Sequence, residues 1–287
     1  VGTLFVPEGA SAATPVPAVV LLHGSGGVIG ARELTYGRQM AAMGVAALVI
    51  DAFAARRERW SSFVDRLLNV TETMLMADAY AGLAWLSGRP DIDASRVALM
   101  GFSYGAMATT YAAYAQAAGS LAPDGHRFSA HLAFYGPCIT AFEDPRTTGA
   151  PVLMVMGALD RIIDVERCEA VRDELRAGGS AVEMVVYEDA YHQWDGWPGR
   201  DWQAPRGLRA CRFTVARDGT VQDATTWLAM TGYLTRAAML SLCSDREGYR
   251  IRGDALVRAR SNALVARFLN GVWWEGRAAT PEPARKG

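Results

Sequence analysis

Six apolar runs of strand length punctuate this chain, at 17–22, 45–50, 97–100, 130–135, 152–156 and 182–187. Each is nearly continuous rather than alternating, the pattern of strands buried on both faces of a parallel sheet. Between them lie stretches with helical spacing of apolar residues: 31–43, 61–87, the alanine-rich run after Ser103, and 164–177. In 61–87 the recurring residues are Leu67, Leu68, Leu75, Ala79, Leu83 and Leu86, and Pro90 with Asp91 and Asp93 ends the run. Gly178 and Gly179 stop the fourth stretch. A last helix is predicted over 254–269. Alternation of this kind predicts an α/β protein with a mostly parallel central sheet and helices on both faces. Ligands of such sheets bind beyond the carboxyl ends of the strands.

The chain has 287 residues, 51% of them hydrophobic, which is enough for one large core. No Pro/Gly/Ser-rich linker divides it, so a single domain is expected over 1–275. An insertion is expected within it at about 199–253, a long polar segment holding Trp202 and Trp227. It reads as a lid or rim near the site mouth, or as a loop region packed over the sheet edge. Residues 276–287, rich in Ala, Pro, Arg and Lys, read as a flexible tail. The formal net charge is -1, with no basic stripe, which argues against nucleic acid as a partner. No apolar run approaches the roughly 20 residues of a membrane span. The first residue is Val1 rather than Met, so whether a signal peptide preceded it is not readable.

Candidate chemistry centres on Gly101-Phe102-Ser103-Tyr104-Gly105, between the 97–100 strand and the helix that follows. A serine flanked by glycines at a strand-to-helix turn is how a hydrolase exposes a nucleophile. The turn is so tight that side chains two positions before and after the serine would collide. A serine hydroxyl needs a base, and the base needs a carboxylate to fix its tautomer. Ser103, Asp160 and His192 follow one another in the order nucleophile, acid, base, each just past a strand end.

The chain has four histidines. His126 sits in a polar loop, His131 lies inside a strand, and His23 precedes a glycine-rich loop and reads as structural. His192 is therefore the expected base. Asp164 is the alternative acid, although it is well placed to cap the 165–177 helix. Asp189 and Asp195 flank His192 in a manner that usually reflects loop solvation. The oxyanion donors expected are the backbone N–H groups of Tyr104 and Ser25, with Gly26 the neighbouring candidate. A phosphate-binding reading of 23–27 lacks the Lys-Ser/Thr pair and the dinucleotide spacing.

His23-Gly24-Ser25-Gly26-Gly27, the 101–105 turn, Gly157-Ala158-Leu159-Asp160 and Tyr191-His192 together resemble the dienelactone hydrolase family of α/β hydrolases. The likeness covers roughly 1–270. It implies the α/β-hydrolase fold, Ser103 as nucleophile, His192 as base, Asp160 as acid, and Ser25 and Tyr104 at the oxyanion hole, with no cofactor. The resemblance has one departure: dienelactone hydrolases proper use a cysteine nucleophile, and this chain has Ser103. That favours a general carboxylic-ester hydrolase acting on a small-molecule ester through an acyl-enzyme. Thioester, amide or peptide hydrolysis would use the same groups, and a binding protein on this fold is the non-catalytic alternative.

Four cysteines, none in a Cys-x-x-Cys pair, argue against a metal site. Cys138 and Cys168 follow strands expected to be neighbours, and Cys211 and Cys243 both lie in the insertion. Members of the family that are exported resemble this chain in carrying cysteines at these places. Two bridges, Cys138–Cys168 and Cys211–Cys243, are expected, and with them a periplasmic or secreted protein. Reduced thiols in a cytoplasmic enzyme are the alternative. Phe53, Trp60, Tyr104, Trp194 and Trp197 suggest an aromatic-lined pocket, with Gly26, Phe53 and Trp194 the substrate-binding candidates. Arg56, Arg57 and Arg59 read as a solvated loop rather than as a carboxylate site.

Overall fold

A computed structural model describes residues 1–59 and 62–275. Trp60 and the expected tail at 276–287 lie outside the described residues. In chain order the elements are β1 (Gly2–Phe5), β2 (Val16–Leu22), α1 (Glu33–Ala42), β3 (Ala46–Ile50), α2 (Phe63–Asn69) and α3 (Glu72–Ser87). There follow β4 (Ile92–Phe102), α4 (Tyr104–Tyr111), α5 (Ala115–Leu121), β5 (Ala130–Phe134), β6 (Thr140–Phe142), β7 (Val152–Gly157), α6 (Val165–Ala177) and β8 (Val182–Tyr187). The chain ends through β9 (Asp201–Ala204), β10 (Phe213–Val215), β11 (Val221–Asp223), α7 (Tyr233–Cys243), β12 (Tyr249–Arg252) and α8 (Ala255–Asn270).

Seven strands form the main sheet in the order β1-β3-β2-β4-β5-β7-β8. The six continuous apolar runs are its parallel strands, and β1 adds an antiparallel edge against β3. Successive residues of each strand serve opposite faces. Val20, Leu22 and Leu99 meet α3 and α4 on one side, with Met154 against α6. Val19, Leu21, Met100 and Leu132 meet α1 and α8 on the other. Burial on both sides is why these strands read as unbroken apolar runs. Register places Leu22 beside Gly101, and Gly101 beside Ala133, so the segments after β2, β4 and β5 leave the sheet side by side.

The 61–87 stretch is two helices rather than one. Val70 is extended, at φ -112° and ψ 95°, and Thr71 caps α3 by accepting the Met74 N–H. Apolar positions continue through the break because Val70 is itself fully buried. The freed Val70 carbonyl accepts a hydrogen bond from the Tyr104 hydroxyl at 2.6 Å. The 199–253 segment carries more regular structure than its sequence suggests. Its β10 runs parallel to β6, and β12 pairs antiparallel with β9. Strands of three or four residues are too short to leave a period in the sequence.

Both predicted disulfides are formed, Cys138–Cys168 and Cys211–Cys243, across sequence separations of 30 and 32 residues. Closing loops of this size constrains the unfolded chain by about 3.6 kcal/mol per bridge. Thermal melts in the presence of a reductant should therefore fall well below those of the oxidised protein, and superimposable melts would contradict this. No helix among the described residues is long and apolar enough to cross a membrane.

Candidate active site

The turn after β4 is as strained as its sequence implies. Ser103 stands at φ 53° and ψ -111°, a conformation that costs a non-glycine residue energy and persists only where its surroundings hold it. Its N–H donates to the Phe134 carbonyl at 2.8 Å, anchoring the turn to the neighbouring strand. A Cβ on Gly101 would lie 2.2 Å from the Gly105 carbonyl oxygen, so glycine is required there. The serine hydroxyl is thereby projected beyond the sheet, at the N-terminus of α4.

His192 reaches Ser103 from the segment after β8. Its Nε2 lies 2.9 Å from Ser103 Oγ, and its Nδ1 lies 2.6 Å from Asp160 Oδ2. The tautomer that satisfies both contacts donates from Nδ1 to the carboxylate and accepts the serine hydroxyl at Nε2. Asp160 Oδ1 accepts the Ile162 N–H, which fixes the carboxylate plane. His192 and Asp160 are both buried. The imidazole is held edge-on between two tyrosines, Tyr135 at 4.9 Å and Tyr249 at 4.8 Å between ring centroids.

The remaining histidines are occupied elsewhere. His23 is buried, its Nε2 accepting the Ala52 N–H and its Nδ1 donating to the Gly24 carbonyl, so neither nitrogen is free to act as a base. His126 pairs with Asp124 on the surface. His131 is fully buried, with Nδ1 donating to the Thr109 carbonyl. Burial holds its pKa down at about 4. Below about pH 6.5 the unfolded chain takes up a proton at His131 that the folded chain refuses until about pH 4, so stability falls across that window. The accumulated loss is roughly 3 kcal/mol. A His131→Leu variant should lose less stability than the parent between about pH 7 and about pH 4.5 in urea titrations. Equal losses would rule this out.

Asp164 caps α6 through the Arg167 N–H and pairs with Arg212 at 2.5 Å, away from the imidazole. Asp189 pairs with Arg260 on the surface. Asp195 departs from the sequence reading: it is fully buried rather than solvated. It accepts the Tyr135 hydroxyl at 2.5 Å, and Arg32 donates to the same hydroxyl at 3.3 Å. Burial raises the Asp195 pKa, and the Arg32 cation opposes that rise. Tyr135 itself has a positive φ of 43°. This network behind His192 escaped sequence reasoning because Tyr135 and Asp195 lie sixty residues apart with no motif between them.

A cleft of about 1240 Å³ opens beside Ser103, and Ser25 and Tyr104 line it with the serine. The Ser25 carbonyl accepts from Arg66 at 2.8 Å, which fixes that peptide. Of the substrate-binding candidates, Gly26, Phe53 and Trp194 are not among the residues lining the cleft. Phe53 is buried, its ring 4.4 Å from that of His23 and 4.4 Å from the Arg66 guanidinium, so it supports the 23–27 loop from below. Trp194 is 1% exposed and packs on Phe134, Tyr135 and Tyr187, its indole N–H donating to Ser261. A loop position near the base says nothing about which way an indole turns, and this one turns into the core. Gly26 is exposed. Arg56 is engaged by Asp78 and Arg57 is exposed, while the Arg59 side chain lies outside the described residues.

Walls of the cleft come from parts of the sequence that carry no motif. They include Leu67 of α2, Thr71 at the α2–α3 break, Met107 and Tyr111 of α4, and Ala237 and Leu240 of α7. Arg236 of α7 joins them: it donates to the Leu67 carbonyl and the Tyr104 hydroxyl and pairs with Glu72 at 2.9 Å. Among the described residues, no group of three His, Cys, Asp or Glu side chains converges as a metal site would require.

Residues 2–196 match the dienelactone hydrolase family. A Salmonella typhimurium protein provisionally named carboxymethylenebutenolidase is 32% identical over 133 residues, which cover 43% of this chain and 45% of the relative. A Methylorubrum extorquens protein with the same provisional name is 26% identical over 164 residues, 48% of this chain and 53% of the relative. The chain thus spans about half the length of the curated relatives it matches. Among solved structures, a dienelactone hydrolase-like promiscuous phosphotriesterase from metagenomic libraries covers 94% of this chain and 92% of its own, with a TM-score of 0.60 at 20% identity. A propionate-bound esterase of the planctomycete Thermogutta terrifontis covers 67% of this chain and 79% of its own, with a TM-score of 0.53 at 16% identity. These structures share the α/β-hydrolase fold with the chain described above. With a family match running from β1 past the His192 segment, this chain belongs to the dienelactone hydrolase family.

Proposed function

We propose that this protein is a serine hydrolase of carboxylic esters. The observation that carries the proposal is the unbroken line of contacts from Ser103 Oγ to His192 Nε2 and from His192 Nδ1 to Asp160, beside a cleft. In this reading Ser103 Oγ attacks the ester carbonyl while its proton passes to His192. Asp160 stabilises the imidazolium and keeps the ring in register. The oxyanion that forms on the carbonyl oxygen accepts hydrogen bonds from the Tyr104 and Ser25 N–H groups. Collapse breaks the carbon–oxygen bond to the alcohol, which leaves with the proton held by His192. Water then attacks the acyl-serine with His192 again as base, releasing the acid and restoring the hydroxyl.

Support comes from the family, from the esterases among its structural relatives, and from the strain concentrated at Ser103. Residues 1–275 act as one domain in this proposal, with 199–253 an insertion that walls the cleft. The two disulfides support an exported protein, periplasmic or secreted. A fluorophosphonate should label the native protein once, on Ser103, and p-nitrophenyl butyrate should give a burst of nitrophenol matching the enzyme concentration. A folded protein that neither labels nor bursts would overturn the proposal.

A further inference from the structure

The cleft is larger than a small ester needs. At about 1240 Å³ it exceeds the roughly 300–1,000 Å³ usual for drug-sized ligands. Besides Ser103, its lining includes Met76 of α3, Met107 of α4, Ala117 of α5 and Leu240 of α7. Its polar side chains are largely engaged with the protein. The Tyr111 hydroxyl donates to Thr140, and the Gln116 amide nitrogen donates to the Ala216 and Arg217 carbonyls. Gln116 Oε1, by contrast, is buried without a partner. Glu72, Arg206 and Arg236 are the charged side chains among the described lining residues. Glu72 and Arg236 neutralise one another, and Arg206 is exposed and donates to Ser244. The bond of Arg206 is to a hydroxyl rather than a carboxylate, so its charge is unpaired, but it is held at the exposed part of the cleft; of the two lining cations only Arg236 is buried, and that one is already paired with Glu72.

On the strength of the hydrolase reading above, we propose that the substrate is an ester with a long, uncharged, apolar chain, which lies in the arm walled by α3, α4 and α7. Each buried methylene contributes up to about fourfold in kcat/KM. An ω-carboxylate at the same length is penalised by its desolvation.

The test is a series of p-nitrophenyl esters from acetate to dodecanoate, with the mono-p-nitrophenyl ester of suberic acid set against the octanoate. We expect kcat/KM to rise at least about tenfold from acetate to octanoate, and the suberate to be at least about tenfold poorer than the octanoate. Ala237→Trp and Ala117→Trp intrude on the arm from two different helices. Each should lower the ratio of decanoate to acetate kcat/KM about tenfold, with fluorophosphonate labelling confirming that the variant is folded. A flat or falling length profile, or a suberate as good as the octanoate, overturns the inference while acetate hydrolysis and labelling leave the hydrolase reading standing. Unchanged decanoate-to-acetate ratios in both tryptophan variants also overturn it. Loss of labelling and of all ester hydrolysis in the parent protein overturns the hydrolase reading itself, and the inference with it.

Discussion

Asp160→Asn should lower kcat for ester hydrolysis by about four orders of magnitude and leave the protein folded. The asparagine keeps an Oδ1 to accept the Ile162 N–H, so the local turn survives. What changes is the face toward His192. An amide nitrogen there donates to Nδ1 and forces the imidazole proton onto Nε2, the atom that must accept from Ser103. Among the described residues, no neighbouring carboxylate stands ready as a substitute. Asp164 is held by the α6 cap and Arg212, and Asp195 is spent on Tyr135. Ser103→Ala should cost as much or more, and the double variant little beyond the worse single one, because the groups act as a unit. Steady-state rates on one ester, with folding checked by circular dichroism, decide the matter. An Asp160→Asn enzyme within tenfold of the parent, or singles whose losses multiply, would sink the assignment of Asp160.

Gly105→Ala should be among the most destabilising single substitutions available to this chain, more than about 4 kcal/mol. A Cβ there would sit 2.5 Å from the Leu22 carbonyl oxygen and 2.6 Å from that of His23. Both are backbone atoms at the end of a central strand, so neither can step aside as a flexible side chain would. Relief requires α4 to lift away from β2, which takes the Tyr104 N–H with it. Gly88→Ala is the matched control, since its nearest neighbour is 3.7 Å away at φ -82° and it should be close to neutral. Thermal unfolding of the pair provides the measurement. A Gly105→Ala protein that melts like the parent would show that the 101–105 turn is less constrained than its geometry demands.

Sequence and structure agree where one physical constraint dominates. Strands buried on both faces must be apolar at every position, so runs such as 17–22 and 152–156 are visible without any alignment of relatives. Glycines flanking Ser103 are visible because sterics permit little else, and the order Ser103, Asp160, His192 follows strand order. The edge strand β1 was not legible: Gly2–Phe5 is short, largely exposed and mixed in character. The break between α2 and α3 was hidden because a residue buried in a kink looks like one buried in a helix. Trp194, Phe53 and Asp195 show a different limit. Each lies within a few residues of a loop that bears on the site, yet side-chain direction is set by tertiary packing that local sequence does not encode. The cleft walls failed to announce themselves for a related reason: apolar side chains drawn from five helices form a surface only once those helices are placed.

Arg236 bears on how freely this scaffold can be remodelled. Its guanidinium comes from the segment that walls the cleft, but its partners belong to the body of the protein, including the tyrosine next to Ser103. Transplanting a foreign segment in place of 199–253 would leave Glu72 as a partly buried anion without its Arg236 partner and the Tyr104 hydroxyl without that donor. The 199–253 segment is therefore not an interchangeable cassette. Any graft, natural or engineered, has to bring a basic side chain to that point or remove Glu72 at the same time, and a library that randomises the cleft while ignoring this junction would select against its own members.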